Sequence, residues 1–279
     1  MFLNEILSIK MMNIKPTITS KKRTIRNLEK QRGFTLVELM IASTISLVLL
    51  LVIGTVFVSS RQAFRVQEDN ARIQESGRFA LEILGRSIKQ AGHVDIPFTG
   101  FKVAFTGIAI NGTDGGAGVA DTLTVQYDGA VNDRDCEGTA VTLADVTGEN
   151  NIIQNYFNLD VANAQLRCQG VIQAAPAVPG PPPSGSVLVE NIEDLQILYG
   201  IDTSGDQSAN QYVVVPADWD QVVTARVCVL IRSDKTNIVS AGNNYQDCNG
   251  AAVAVPADRR LRRAFSATFN MRNRVNILP

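Results

Sequence analysis

Hydrophobic residues are distributed along this chain in three successive patterns. From Leu39 to Val58 run twenty residues without a charge, rich in Leu, Val and Ile, which as a helix cover about 30 Å, the hydrocarbon thickness of a bilayer. Past Val58 the apolar positions thin to steps of three and four: Ala63, Val66, Ile73, Ala80, Leu84, Ile88 and Ala91, with Arg65, Glu68, Asp69, Arg72 and Glu75 between them. That spacing predicts an amphipathic helix with one face turned to a core. No proline occurs between Gly33 and Pro97, so a single helix from about Thr35 to Gln90 is allowed, with Gly54 its soft point and Gly92 its C-cap. Beyond it the pattern shortens to that of strands, expected at 101–110, 123–127, 152–159, 166–172, 187–199, 222–231 and 264–271, rich in Val, Ile, Tyr and Phe and separated by turn clusters. Strands and helices do not alternate, which argues against a doubly wound sheet. The expected fold is α+β, a long N-terminal helix with a membrane-spanning first half, packed on a mainly antiparallel β-sheet domain.

Charge adds a direction to this plan. Residues 1–33 hold eight basic side chains, Lys10, Lys15, Lys21, Lys22, Arg23, Arg26, Lys30 and Arg32, against Glu5 and Glu29, while the rest of the chain carries 18 basic and 25 acidic residues. A basic leader before the span places the N-terminus in the cytoplasm and the body outside it. The acidic remainder gives no electrostatic case for nucleic-acid binding. The expected divisions are a leader at 1–33, a transmembrane helix at 34–58, an amphipathic continuation at 59–92 and a β-rich body at 93–279 with a proline-rich loop at 176–185.

Four cysteines, Cys136, Cys168, Cys228 and Cys248, all fall in the exported part, and none has the close spacing of a zinc knuckle or a redox C-x-x-C. Disulfides follow from the location. Of three connectivities, Cys136–Cys168 and Cys228–Cys248 are favoured because sequential pairing closes the shorter loops.

An acid at the edge of an apolar span demands an account, because burying it in a membrane costs about 2–3 kcal/mol on insertion scales. Here it is Glu38, in the string Arg32-Gly33-Phe34-Thr35-Leu36-Val37-Glu38. This string resembles the processing signal of type IV pilins and of type II secretion pseudopilins. The resemblance implies cleavage by a membrane prepilin peptidase between Gly33 and Phe34, N-methylation of Phe34, and pairing of the Glu38 carboxylate with the terminal amine of a neighbouring subunit. Strings in the body resemble the PilW branch of the minor pilins: Ser76-Gly77-Arg78-Phe79-Ala80-Leu81-Glu82 before Ala91-Gly92, the run from Asp194 to Asp202, and Arg272-Asn273-Arg274. Membership would make the chain a low-abundance subunit that aids initiation and assembly of a type IV pilus, and through it motility, attachment or DNA uptake. Its partners would be other minor pilins, the major pilin and a tip adhesin, and its location the inner membrane and then the pilus of a Gram-negative cell.

Other readings compete. A minor pseudopilin of the J type shares the plan. A secretory signal cut near Val58-Ser59-Ser60 would need an apolar core beyond the usual ~7–15 residues, and a plain signal anchor bearing a periplasmic binding domain leaves Gly33 and Glu38 unexplained. Catalysis finds little support: His93 is the lone histidine, and there is neither a nucleophile-elbow motif nor a G-x-x-x-x-G-K-[ST] phosphate loop. No enzyme activity, cofactor or metal is expected. The acidic residues Asp128, Asp133, Asp135 and Glu137, and the turn Asp202–Asp206, depart from the EF-hand pattern and read as solvated turns. The basic cluster Arg259, Arg260, Arg262 and Arg263 reads as a solvated edge.

Overall fold

The computed structural model describes residues 33–94, 105, 107–116, 118–147, 151–174 and 185–273. All of the leader but Gly33, half of the strand expected at 101–110 and most of the proline-rich loop lie outside these. The chain divides into two compact units, one ending at Val56 and one beginning at Phe57, and helix α1, Leu36–Gln90, contributes to both.

In the first unit α1 is long and apolar enough to cross a membrane, and none of its apolar window is buried. Its few hydroxyls are satisfied internally. Ser43 Oγ donates to Met40 O at 2.9 Å, Thr44 Oγ1 to Ile41 O at 2.8 Å, Ser46 Oγ to Ala42 O at 2.7 Å and Thr55 Oγ1 to Val52 O at 2.8 Å. In hydrocarbon an unpaired hydroxyl would be costly, and this back-bonding removes the cost without a partner helix.

In the second unit the same helix buries Ile73, Gly77, Ala80, Leu84, Gly85 and Ile88. The predicted stripe is displaced, since Ala63 is exposed and Val66 half-buried, and Asp69 takes a place on the buried face. The helix stops where Gly92 adopts a left-handed φ of 69°, its N–H donating to Gln126 O at 2.9 Å. The last carbonyls, left without intrahelical donors, are met by Asn273, whose Nδ2 lies 3.0 Å from Lys89 O and 3.3 Å from Gln90 O.

Eleven strands follow among the described residues: β1 Ile110–Asn111, β2 Leu123–Asp128, β3 Ile152–Asp160, β4 Gln165–Gln173, β5 Ser186–Glu190, β6 Ile192–Ile201, β7 Gln211–Val213, β8 Val222–Arg232, β9 Asn244–Gln246, β10 Ala252–Ala254 and β11 Arg262–Asn270. A short helix α2, Leu143–Thr147, interrupts them. Every pairing is antiparallel. The strands form a five-stranded meander β1-β2-β3-β4-β5, a four-stranded sheet β11-β8-β6-β7 and a hairpin β9-β10. Strand β8 is central, with Ala225, Val227, Val229 and Ile231 almost wholly buried on one face. One core joins these residues to Ile73, Leu84 and Ile88 of α1 and to Leu123, Ile153, Phe157 and Leu166 of the meander.

The single strand expected at 187–199 is two. Asn191 stands between β5 and β6 with φ at 63°, a left-handed conformation that asparagine tolerates better than most residues. The chain leaves the meander there and enters the other sheet. A continuous Val and Ile pattern carried no sign of that exchange.

Candidate functional site

The residues implicated in processing stand together before α1. Gly33 and Phe34 precede the helix, and Phe34 is 88% exposed. A side-chain carbon placed on Gly33 would meet nothing within 4 Å. Among the described residues the Gly33–Phe34 peptide bond is thus exposed. Thr35 begins the helix: its carbonyl accepts from Leu39 N at 3.2 Å, and its Oγ1 accepts from Glu38 N at 3.2 Å. In return Glu38 Oε2 accepts from Thr35 N at 3.1 Å and from Thr35 Oγ1 at 3.2 Å.

This reciprocal pair is a capping box, a Thr and a Glu three apart at a helix start, each accepting from the other's amide. Thr35 is thus the helix cap of this segment, a part that the sequence signals through T-x-x-E before an apolar run. The box does two things for Glu38. It puts the carboxylate at the positive end of the helix dipole, where an anion is stabilised, and it leaves the carboxylate at the amide of the residue that follows Phe34. An amine freed on Phe34 would lie one residue from it.

The cysteines form two bonds, Cys136–Cys168 with Cα atoms 6.2 Å apart and Cys228–Cys248 at 5.6 Å. The first ties the turn after β2 to β4, and Glu137 reinforces it. The Glu137 carboxylate accepts from Ser186 Oγ at 2.8 Å, from Gly170 N at 3.1 Å and from Ser186 N at 3.1 Å. Those bonds, the Ser186 hydroxyl first, hold its carboxyl below the usual range. The second bond ties the segment between β9 and β10 to β8.

The remaining acids serve turns. Asp135 Oδ1 accepts from Glu137 N and Thr139 N, Asp133 from Ala130 N, and Asp202 from the amides of Ser204, Gly205 and Gln207. Among the described residues no group of three or more His, Cys, Asp or Glu is placed to hold a metal ion. The basic cluster is not the solvated edge the sequence pointed to. Arg262 is buried and forks onto Glu193 at 2.6 and 2.9 Å and onto Asp258 at 2.7 and 3.0 Å. Burial pulls its pKa down, but the bonds to Asp258 and Glu193 outweigh that and raise it. Arg260 donates to Ser233 O and Asp234 O, and Arg259 to Asn237 Oδ1. Three of the four guanidinium groups are thus engaged in holding the 233–262 region.

Two family models match the chain. Residues 29–54 match the prokaryotic N-terminal methylation motif, a range that contains Gly33 to Glu38 and most of the apolar half of α1. Residues 155–273 match the type IV pilus-assembly protein W, from within β3 to the Asn273 that caps α1. The chain carries a PilW domain behind a pilin-type N-terminal methylation motif. Among curated proteins none matches it. Of solved structures, a type IV-like pilin from Thermus thermophilus aligns over 74% of this chain and 98% of its own, at 13% identity and a TM-score of 0.46, too slight a likeness to add to the family matches. The methylation motif and the long apolar helix point to a membrane-anchored pilus component. Outside both matched ranges, the string around Ser76-Gly77 has a structural use: a Cβ on Gly77 would overlap the Phe265 ring, and one on Gly85 the Phe269 ring.

Proposed function

We propose that this chain is a minor pilin that aids initiation and assembly of a type IV pilus. It inserts in the inner membrane with its N-terminus in the cytoplasm, is cut by the prepilin peptidase between Gly33 and Phe34, is methylated on Phe34, and enters the filament beside other minor pilins and the major pilin. Its part is structural. The observation that carries the reading is the conjunction, in one chain, of an open Gly33-Phe34 junction, a capping box on Glu38 and a PilW-matching body. Assembly removes water from the helices, and in low dielectric an ammonium on Phe34 and a carboxylate on Glu38 of a neighbour attract far more strongly than at a wet surface.

Mass spectrometry of the mature N-terminus tests the proposal, with a methylated Phe34 as the expected first residue. A start at Ser59 to Arg61, or an uncut leader in cells that hold the peptidase, would overturn it. Recovery with sheared pili rather than with a secretion apparatus separates the pilus subunit from a minor pseudopilin.

A further inference from the structure

Asp69 sits on the buried face of α1 one turn before Ile73, with 1% of its surface exposed. Neither carboxylate oxygen has a hydrogen-bond partner among the described residues. A buried acid in that state is unusual, because its lost hydration is repaid by nothing inside the subunit. It lines a groove of about 680 Å³ between α1 and the ends of β5 and β8, walled by Ser76, Phe79, Glu190, Arg232 and Asp234. The Nε–H of Arg232, in the same groove, likewise has no acceptor.

The charges around the groove lean to one sign. Arg72 is paired with Glu68 at 2.8 Å and Arg232 with Glu193 at 3.2 Å. Glu75, Glu190 and Asp234 have no ion-pair partner among the described residues, and Arg78 is the one lining base in the same condition. An occupant must therefore bring positive charge and paired N–H donors to Asp69 and an acceptor to Arg232. Arginine within a peptide meets all three demands, since its planar fork delivers two parallel N–H groups to a carboxylate, which a lysine ammonium does not.

We propose that the groove seats an arginine-bearing segment of a neighbouring pilin subunit, with the guanidinium forked onto Asp69 and a main-chain carbonyl accepting from Arg232. The inference rests on the filament reading above, which supplies the neighbour. It gives the orphan acid a reason: Asp69 is a cost to the free subunit that assembly offsets.

The test uses the full-length chain in cells, with photoreactive p-benzoylphenylalanine in place of Phe79, a half-exposed residue of the groove wall. The expected result is a light-dependent adduct with another pilin subunit through a peptide containing arginine, reduced at least about tenfold by Asp69→Asn. In detergent the Asp69→Asn monomer is expected to melt no lower than its parent, because no internal bond is lost. An adduct indifferent to Asp69→Asn, a captured peptide without arginine, a captured protein that is no pilin, or a lower melting point in Asp69→Asn overturns the proposal. A chain cut at Gly33 and present in filaments but giving no adduct defeats the groove alone. A chain never found in filaments removes the filament reading, and the groove proposal with it.

Discussion

Glu38 caps α1, and substitution can separate that cap from the ion pair proposed for it. Glutamine keeps the carbonyl oxygen that accepts from the Thr35 amide, so Glu38→Gln preserves the capping box and removes only the charge; Glu38→Ala removes both. Losing a cap costs about 0.5–2 kcal/mol, whereas stripping one partner from a desolvated ion pair costs about 3–5 kcal/mol. Both variants are expected to be cut and to reside in the membrane, and both to enter filaments at least about 100-fold less well than the parent at equal membrane abundance. Normal incorporation of the Gln variant would leave Glu38 a cap and nothing more. Glu137 offers a second test, through pH. Its folded-state pKa lies below the ordinary value of 4.5, so its contribution is full above that value and is lost as pH falls through the depressed one. Glu137→Gln is therefore expected to melt lower than the parent at pH 6 and to converge with it towards pH 2, as read by thermal scans. The side chain is exposed, which keeps the effect small.

At the scale of elements, α1 and β11 meet through matched periods. Gly77 and Gly85 are eight residues apart, about 12 Å on a helix, and Phe265 and Phe269 are four apart, about 13 Å on a strand. Each ring thus lies over a glycine. Alanine in place of a helix-interior glycine ordinarily gains about 1 kcal/mol; here the sign reverses. At Gly77 the new carbon would come within 2.8 Å of the root atom Cγ of Phe265, so the ring cannot clear it by turning its tip and β11 must shift. At Gly85 the overlap is with the outer ring of Phe269, which can swing aside. Gly77→Ala is expected to lower stability by about 1–3 kcal/mol, more than Gly85→Ala does, and Phe265→Leu in the same chain to recover part of the loss. Chemical denaturation measures it. A gain in stability from Gly77→Ala would show that helix and strand are not in this contact.

For the molecule as a whole, the two disulfides close loops with sequence separations of 32 and 20 residues, worth about 3–4 kcal/mol each in the chain-entropy model. The Cys228–Cys248 bond does more than shorten a loop, because the β9-β10 segment it holds brings Tyr245 beneath Arg262, at 5.6 Å. Replacing both cysteines by serine is expected to lower the melting midpoint of the body by roughly 10 °C. Trp219, the lone tryptophan, reports on it: its ring stands edge-on to the buried Tyr199 at 4.8 Å, so its fluorescence follows the core and not the apolar helix. An unchanged midpoint would mean that the bond carries no stability.

What the sequence determined is what depends on neighbours along the chain. The uncharged run from Leu39 to Val58, the absence of proline, and Gly92 after Gln90 define α1 because a helix is built from local bonds. The Val- and Ile-rich runs mark strands for the same reason, and Gly33 to Glu38 mark the methylation motif because that motif is a contiguous string. Even the capping box was written there as Thr35 and Glu38. Tertiary structure alone decided which strands pair, since hydrogen bonds between strands join residues far apart and leave no period in the sequence. It split the 187–199 run at Asn191, drew three arginines of the 259–263 cluster inward to acceptors such as Glu193 and Ser233, and placed Asn273 over the end of a helix that closes more than 180 residues earlier. It also turned Asp69 from one polar position among several into a buried acid, because the phase of α1 against its sheet is fixed by where Gly77 and Gly85 admit aromatic rings.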